Sequence, residues 1–184
     1  MTQHPRLKIE RLFLRKLALR DVDKIFSSHA QDPEVSRYLS WGPHQKKTET
    51  RASVKRLLTN DHTGLSLNWI IEKSENADLA GMIAINFNGL KSRLGFVLAR
   101  HHWGQGVATE ATRSVIDWTL RQPGYEQIEA FCDEDNSASA RVLEKSGMKR
   151  GSFLLGFRVC PNISPSPRNC WHFVLRKPIV TENR

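Results

Sequence analysis

Apolar positions along this chain fall alternately into period-two runs and into stripes spaced by three and four. Residues 9–17 (IERLFLRKL) read as an opening strand. Asp21 then stands where it can cap a helix whose Val22, Ile25, Phe26 and His29 share one face. Asp32-Pro33 restarts a short helix, which Trp41-Gly42-Pro43 ends. Residues 45–58 read as a charged helix. Two strand-like runs, 65–73 and 79–87, join through Glu75-Asn76-Ala77-Asp78 as a hairpin. A strand at 93–99 leads into a helix at 107–121. There Ala108, Ala111, Val115, Ile116 and Leu120 form the apolar stripe, and Glu110, Arg113, Asp117 and Arg121 alternate in sign opposite it. Each such charge pair adds only about 0.2–0.5 kcal/mol, but together they mark the register. Pro123-Gly124 closes that helix. Residues 128–132 read as a strand, Asp133–Asn136 as a polar turn, and Ser137–Ser146 as a helix stopped by Gly147. Strands at 151–159 and 171–175 finish the set, with CPNISPSPRNC between them as a proline-rich surface loop. The order predicts an α/β (α+β) architecture, a mixed and mostly antiparallel sheet of about seven strands with helices on both faces.

The segment LGFVLARHHWGQGVATEA (94–111) carries most of the chemistry. A strand runs into a turn with two glycines, and a helix begins at once. That arrangement aims free backbone N–H groups and the positive end of a helix dipole at an anion, most naturally a diphosphate. Glycine permits both close approach and positive φ there. A P-loop needs Gly-Lys-Ser/Thr at its end, but Val107-Ala108-Thr109 follows here. A dinucleotide fingerprint needs a third glycine or alanine where Thr109 stands, and the preceding elements look like hairpins rather than a βαβ start.

Length and composition narrow the picture. The 184 residues suit one domain, 1–184, and 39% hydrophobic residues suffice for a packed core. MTQHPRLKIE has no apolar leader, and the apolar runs are too short to span a bilayer, so a soluble, cytoplasmic protein is expected. Cys132, Cys160 and Cys170 are an odd set without a C-x-x-C pair, which argues against a disulfide framework or a zinc site. The formal charge of +9 favours acidic partners such as a polyphosphate or nucleic acid. The basic residues are dispersed, however. Only Lys46, Lys47, Arg51, Lys55 and Arg56 gather, and they read as a solvated helix face.

IERLFLRKL, LGFVLARHHWGQGVATEA and DNSASARVLEKSGM together resemble the GNAT superfamily of acetyl-coenzyme A-dependent N-acetyltransferases, closest to its RimJ/RimL-type branch of ribosomal-protein N-terminal acetyltransferases. The resemblance implies a sheet splayed at the cofactor site. It implies that Gln105, Gly106, Val107, Ala108 and Thr109 offer N–H groups to the coenzyme A pyrophosphate, that Gly104 shapes the turn, and that His101 opens the loop pattern where Gln or Arg is usual. Val97, Leu98 and Ala99 would pair with the pantetheine arm as an added strand does. Asn136 would hold the same arm through its amide. No metal is expected.

Amine attack on a thioester sets three tasks. An N–H from residues 97–99, with Leu98 favoured, would stabilise the oxyanion. The tyrosine many relatives use as acid is replaced by Leu143, and Ser139 stands where Rim-type relatives carry a serine. It is the candidate acid, against a plain helix-start serine. The glutamate base of some Rim-type enzymes has no counterpart in SFLLGFR (152–158), which leaves Glu72, Glu129, His44, His172 or water. Cys132 reads as a small core residue rather than a nucleophile. His101-His102 lack an evident third ligand, and adjacent rings on an extended chain diverge. Trp41 and the 45–58 helix belong to the part that lines the acceptor cleft in relatives. The expected acceptor is a primary amine, a protein N-terminus or a small amine. A homodimer is implied by resemblance. A non-catalytic acyl-coenzyme A sensor and a basic nucleic-acid-binding module remain the alternatives.

Overall fold

The opening strand is a miniature hairpin rather than one run. β1 (Leu7–Lys8) folds back on β2 (Leu12–Lys16), which makes eight strands where about seven were expected. The computed structural model describes residues 4–177. Of the 1–184 span expected to form one domain, residues 1–3 and 178–184 therefore lie outside the described part.

The remaining elements follow the predicted order. They are α1 (Val22–Ile25, continued by a wider turn over Phe26–Ala30), α2 (Pro33–Ser36), α3 (Lys47–Thr63), β3 (Ser66–Lys73), β4 (Leu79–Asn88), β5 (Lys91–Leu98), α4 (Val107–Arg121), β6 (Gln127–Asp133), α5 (Ser137–Lys145), β7 (Lys149–Cys160) and β8 (Ser164–Arg176). The sheet order is β1-β2-β3-β4-β5-β6-β8-β7, and only β5 and β6 run parallel.

Side chains alternate across this sheet and make a core on each face. Trp69, Ile71, Ile83 and Ile85 pack with Val107, Ala111, Val115 and Ile116 of α4 on one side. Ile70 packs with Val22, Ile25 and Val54 of α1 and α3 on the other. Asp32 caps α2 as its Asp-Pro start predicts, accepting from Glu34 N–H at 2.8 Å. Asp21 does not cap α1. Its carboxylate faces back to Ala18 N–H at 2.9 Å and takes both Nη atoms of Arg15, which also reaches Glu72 at 2.8 Å.

CPNISPSPRNC is a second correction. Only a tight turn separates β7 from β8, and Ser164–Arg176 is strand. β8 pairs with β6 only from Cys170 onward, so among the described residues its proline-bearing start has β7 as its one strand neighbour. Proline is tolerated in a strand where one side needs no N–H donor. Arg168, on this stretch, grips the turn after β6. Its Nε and Nη2 reach Asp133 at 2.7 and 3.0 Å, and Nη2 reaches Asp135 at 2.6 Å.

Candidate active site

The parallel pair β5–β6 is joined only from Lys91–Gln127 to Arg93–Glu129. Beyond that the pairing stops, and a cleft of about 460 Å³ opens between the freed end of β5 and α5, the helix that follows β6. Its walls include Val97 and Leu98 of β5, Gly104, Gly106, Val107, Ala108 and Thr109 of the turn and α4, and Asn136 and Ser139 of α5. Nine of the twelve residues singled out from sequence thus meet around one opening. This is the splay that the resemblance implies.

Backbone direction decides which groups face it. Ala99 N–H donates to Ala80 carbonyl at 2.9 Å, across to β4. Along an antiparallel pair such groups alternate in direction. Val97 therefore also faces β4, whereas Phe96 and Leu98 turn their N–H and carbonyl groups to the gap. The Leu98 carbonyl accepts from the Trp103 indole N–H at 3.0 Å, and among the described residues its own N–H has no partner strand on that side. Ala99 is fully buried and does not line the cleft. Phe96 does line it, and a simple alternation argument over residues 93–99 could have found it.

Gly104 and Gly106 have φ of 74° and 78°. Positive φ, rather than room, is the reason for glycine, since a Cβ on Gly104 would meet nothing within 4 Å. The first α4 bond runs from Glu110 N–H to Gly106 carbonyl, so Val107, Ala108 and Thr109 keep N–H groups without an intrahelical acceptor. Gln105 and His101 lie outside the cleft. The Gln105 side chain donates to His101 carbonyl at 2.7 Å, and its own carbonyl accepts from Arg11. Arg11 also binds Glu110 through Nε at 3.0 Å and Nη2 at 2.8 Å, fastening the β1–β2 turn to the start of α4. The cleft also carries Arg37, Arg141 and Lys145, cations that the sequence analysis did not single out.

Asn136 caps α5, its Oδ1 accepting from Ser139 N–H at 3.0 Å. The cap is therefore Asn136, and among the described residues its Nδ2 makes no hydrogen bond. Among the described residues the Ser139 hydroxyl makes no hydrogen bond to protein, so it is available to the cleft. Burial, with the Asp133 charge behind it, pushes the Cys132 thiol up to about 12. It donates to Asn136 carbonyl at 3.1 Å, as fits a core residue.

A second, smaller cavity of about 210 Å³ lies on the other side of β5 and shares Leu39, Phe96 and Val97 with the cleft. Trp41, His44, and Thr50, Ser53, Val54 and Leu57 of α3 line it, together with His29, Asn68, Met82 and Ala84. Of the four bases weighed from sequence, only His44 is here. Glu72 is paired with Arg15, and Glu129 and His172 sit together at 3.7 Å on β6 and β8, outside both cavities.

His101 and His102 do not diverge. They lie in a tight helical turn with ring centroids 4.1 Å apart, and Asp78 joins them, its Oδ2 at 2.9 Å from His102 and 3.5 Å from His101. The third donor absent from the local sequence comes from the β3–β4 turn. Burial pushes the Asp78 carboxyl up, but the two imidazoles outweigh it and the net displacement is downward.

The acetyltransferase (GNAT) domain family matches residues 11–149. The chain is 32% identical to YkkB of Bacillus subtilis over 153 residues, 80% of this chain and 87% of the other. It is 28% identical to the N-acetyltransferase p20 of Bacillus licheniformis over 152 residues, 80% and 84% of the two chains. The coenzyme A complex of RimL, a ribosomal L7/L12 α-N-protein acetyltransferase, has the same fold at TM-score 0.83 and 16% identity, covering 94% and 98%. Carrying the splayed sheet and matched by that family over most of its length, the chain belongs to the GNAT acetyltransferase family.

Proposed function

We propose that this protein transfers the acetyl group of acetyl-coenzyme A to a primary amine by direct attack, with a peptide or protein N-terminal amine as the favoured acceptor. The observation that carries this reading is the parted β5–β6 pair, with the Leu98 N–H facing the gap and the unpaired amides of α4 at its mouth. Val107, Ala108 and Thr109 offer those amides to a diphosphate, and the helix dipole adds to the attraction. Arg37, Arg141 and Lys145 add positive charge along the same walls. Phe96 and Leu98 supply strand edges for the pantetheine amides. Leu98 N–H polarises the thioester carbonyl and receives the oxyanion. Asn136 Nδ2 steadies the arm, and the Ser139 hydroxyl protonates the departing thiolate.

RimL, which shares the fold, is bound to coenzyme A and named for a protein α-amine, and this supports the choice of acceptor. The test is release of free thiol from acetyl-coenzyme A across a panel of peptides and small amines. Turnover that Gly106→Glu abolishes together with acetyl-coenzyme A binding is the expected result. Binding without thiol release for any amine would instead indicate a sensor. Edge strand β7 exposes Phe153, Leu155, Phe157 and Val159, with Leu155 at 78% exposure, which fits the homodimer the resemblance implies. Light scattering should give twice the chain mass, and Leu155→Glu should halve it.

A further inference from the structure

The smaller cavity is an apolar chamber with one unusual tenant. Among its lining residues there is no carboxylate, and the only titratable side chains are His29 and His44. His29 is buried and its Nδ1 is 2.8 Å from Ser28 Oγ. His44 is held on three sides. Its backbone N–H donates to Ala30 carbonyl at 2.8 Å, its Nδ1 is 2.8 Å from Thr50 Oγ1, and its ring lies 5.1 Å from that of Trp41. With Nδ1–H donating to the Thr50 hydroxyl, Nε2 is left as a lone-pair acceptor, and no described residue bonds to it.

We infer that His44 Nε2 takes the proton of an α-amine whose apolar side chain fills this chamber, as in an amino-acid amide or a peptide beginning with leucine, methionine or phenylalanine. The inference rests on the acetyltransfer proposed above and names its base and its acceptor class. As the new N–C bond forms and the C–S bond breaks, the proton lost by the amine passes to Nε2 and then to solvent. Ser139 passes a proton to the departing thiolate and its oxygen takes one back from solvent in the same step, so one proton leaves with the amine and one enters with the thiol.

Two physical arguments choose the class. A chamber without a carboxylate cannot compensate a second ammonium, so polyamines and lysine side chains are poor fits. An α-amine beside an amide also sheds its proton near neutral pH, whereas a lysine amine does not until about 10.4. Size agrees, because a dry cavity of about 150 Å³ already accepts a benzene ring and this one is about 210 Å³. Burial holds the His44 imidazole below its usual range, against the raising effect of Glu49, so it is neutral and able to accept at physiological pH. Among the described residues the titratable groups facing it are His29, in the turn that continues α1, and Glu49 of α3.

The experiment compares phenylalaninamide, leucinamide, serinamide and spermidine as acceptors, with calorimetry of acetyl-coenzyme A binding for every variant. The apolar amides should exceed serinamide in kcat/KM by about tenfold or more, and spermidine should be worst. His44→Gln should lower kcat by about 100-fold, keep acetyl-coenzyme A affinity and erase the acid limb of the pH profile. Ser53→Phe, which fills the chamber from α3, should raise KM for phenylalaninamide about tenfold and spare acetyl-coenzyme A binding. Serinamide equal to or better than phenylalaninamide would overturn the acceptor class while leaving acetyl transfer standing. An unchanged rate and pH profile in His44→Gln would overturn the base. Acetyl-coenzyme A binding with no turnover of any amine would remove the proposed function, and this inference with it.

Discussion

Gly81 shows how much one missing side chain positions. A Cβ there would come within 2.2 Å of the Val97 carbonyl oxygen and 2.9 Å of Leu98 Cα. β4 therefore lies close against β5 at that point, directly opposite Leu98. A glycine inside a strand pattern signals such close approach, though LAGMIAINF gives no hint of its partner. Gly81→Ala should destabilise by about 1–3 kcal/mol and also lower kcat, read by thermal denaturation beside thiol release. Gly106 is constrained differently, since a Cβ there would sit 3.5 Å from Arg11 Nη2 but at φ of 78°. Gly106→Ala should cost about 1–2 kcal/mol of left-handed strain and weaken acetyl-coenzyme A binding severalfold by calorimetry. Ser139 is a test of chemistry rather than of shape. If its hydroxyl protonates the leaving thiolate, Ser139→Ala should lose about 10- to 100-fold in kcat with acetyl-coenzyme A affinity unchanged.

Among the elements, those with strong local signals were readable in advance. α4 lies at 107–121 as its stripe and charge alternation require, and the glycine turn ahead of it faces a cleft. What could not be read depends on contacts between distant segments. The last turn of α3, Thr59–Thr63, has no apolar residue to announce it and ends only at left-handed Gly64. Asp21 looks like a cap, but its carboxylate is claimed by Arg15, a residue on another element. The prolines of β8 read as loop because nothing local says that β6 ends before they begin. Asp78 reaches the His101-His102 pair from the β3–β4 turn and Arg37 reaches the cleft from the end of α2, both without a motif, while Arg141 and Lys145 sit in DNSASARVLEKSGM at positions with no distinctive spacing. Arg15 offers a stability test at this scale. Its guanidinium, 14% exposed, joins β2 to the turn before α1 through Asp21 and to β3 through Glu72. Arg15→Ala strands two largely buried carboxylates and should cost about 3–5 kcal/mol in urea denaturation.

Across the whole molecule, three histidines tie stability to pH through burial. Burial pushes His29 down to about 4, helped by the nearby His44, and it also lowers His4 and His44. A histidine whose folded value lies below its unfolded one stays neutral in the fold but gains a proton once unfolded. Its contribution is therefore complete above pH 6.5 and drains away as pH falls toward the folded value. For His29 that window runs from 6.5 to about 4 and is worth on the order of 3 kcal/mol. Asp133 responds lower down. Burial pushes its carboxyl up, but Arg168 and the Asp135 N–H outweigh it, so its share is present above the ordinary carboxylate value and lost only below it. Asp61, raised by burial, opposes the trend as its penalty eases on acidification. The histidines consequently govern the range between pH 7 and 5. Urea midpoints should fall steadily across it, and His29→Gln should flatten that slope even if it lowers the plateau. A slope unaltered by the substitution would mean that His29 does not carry the dependence.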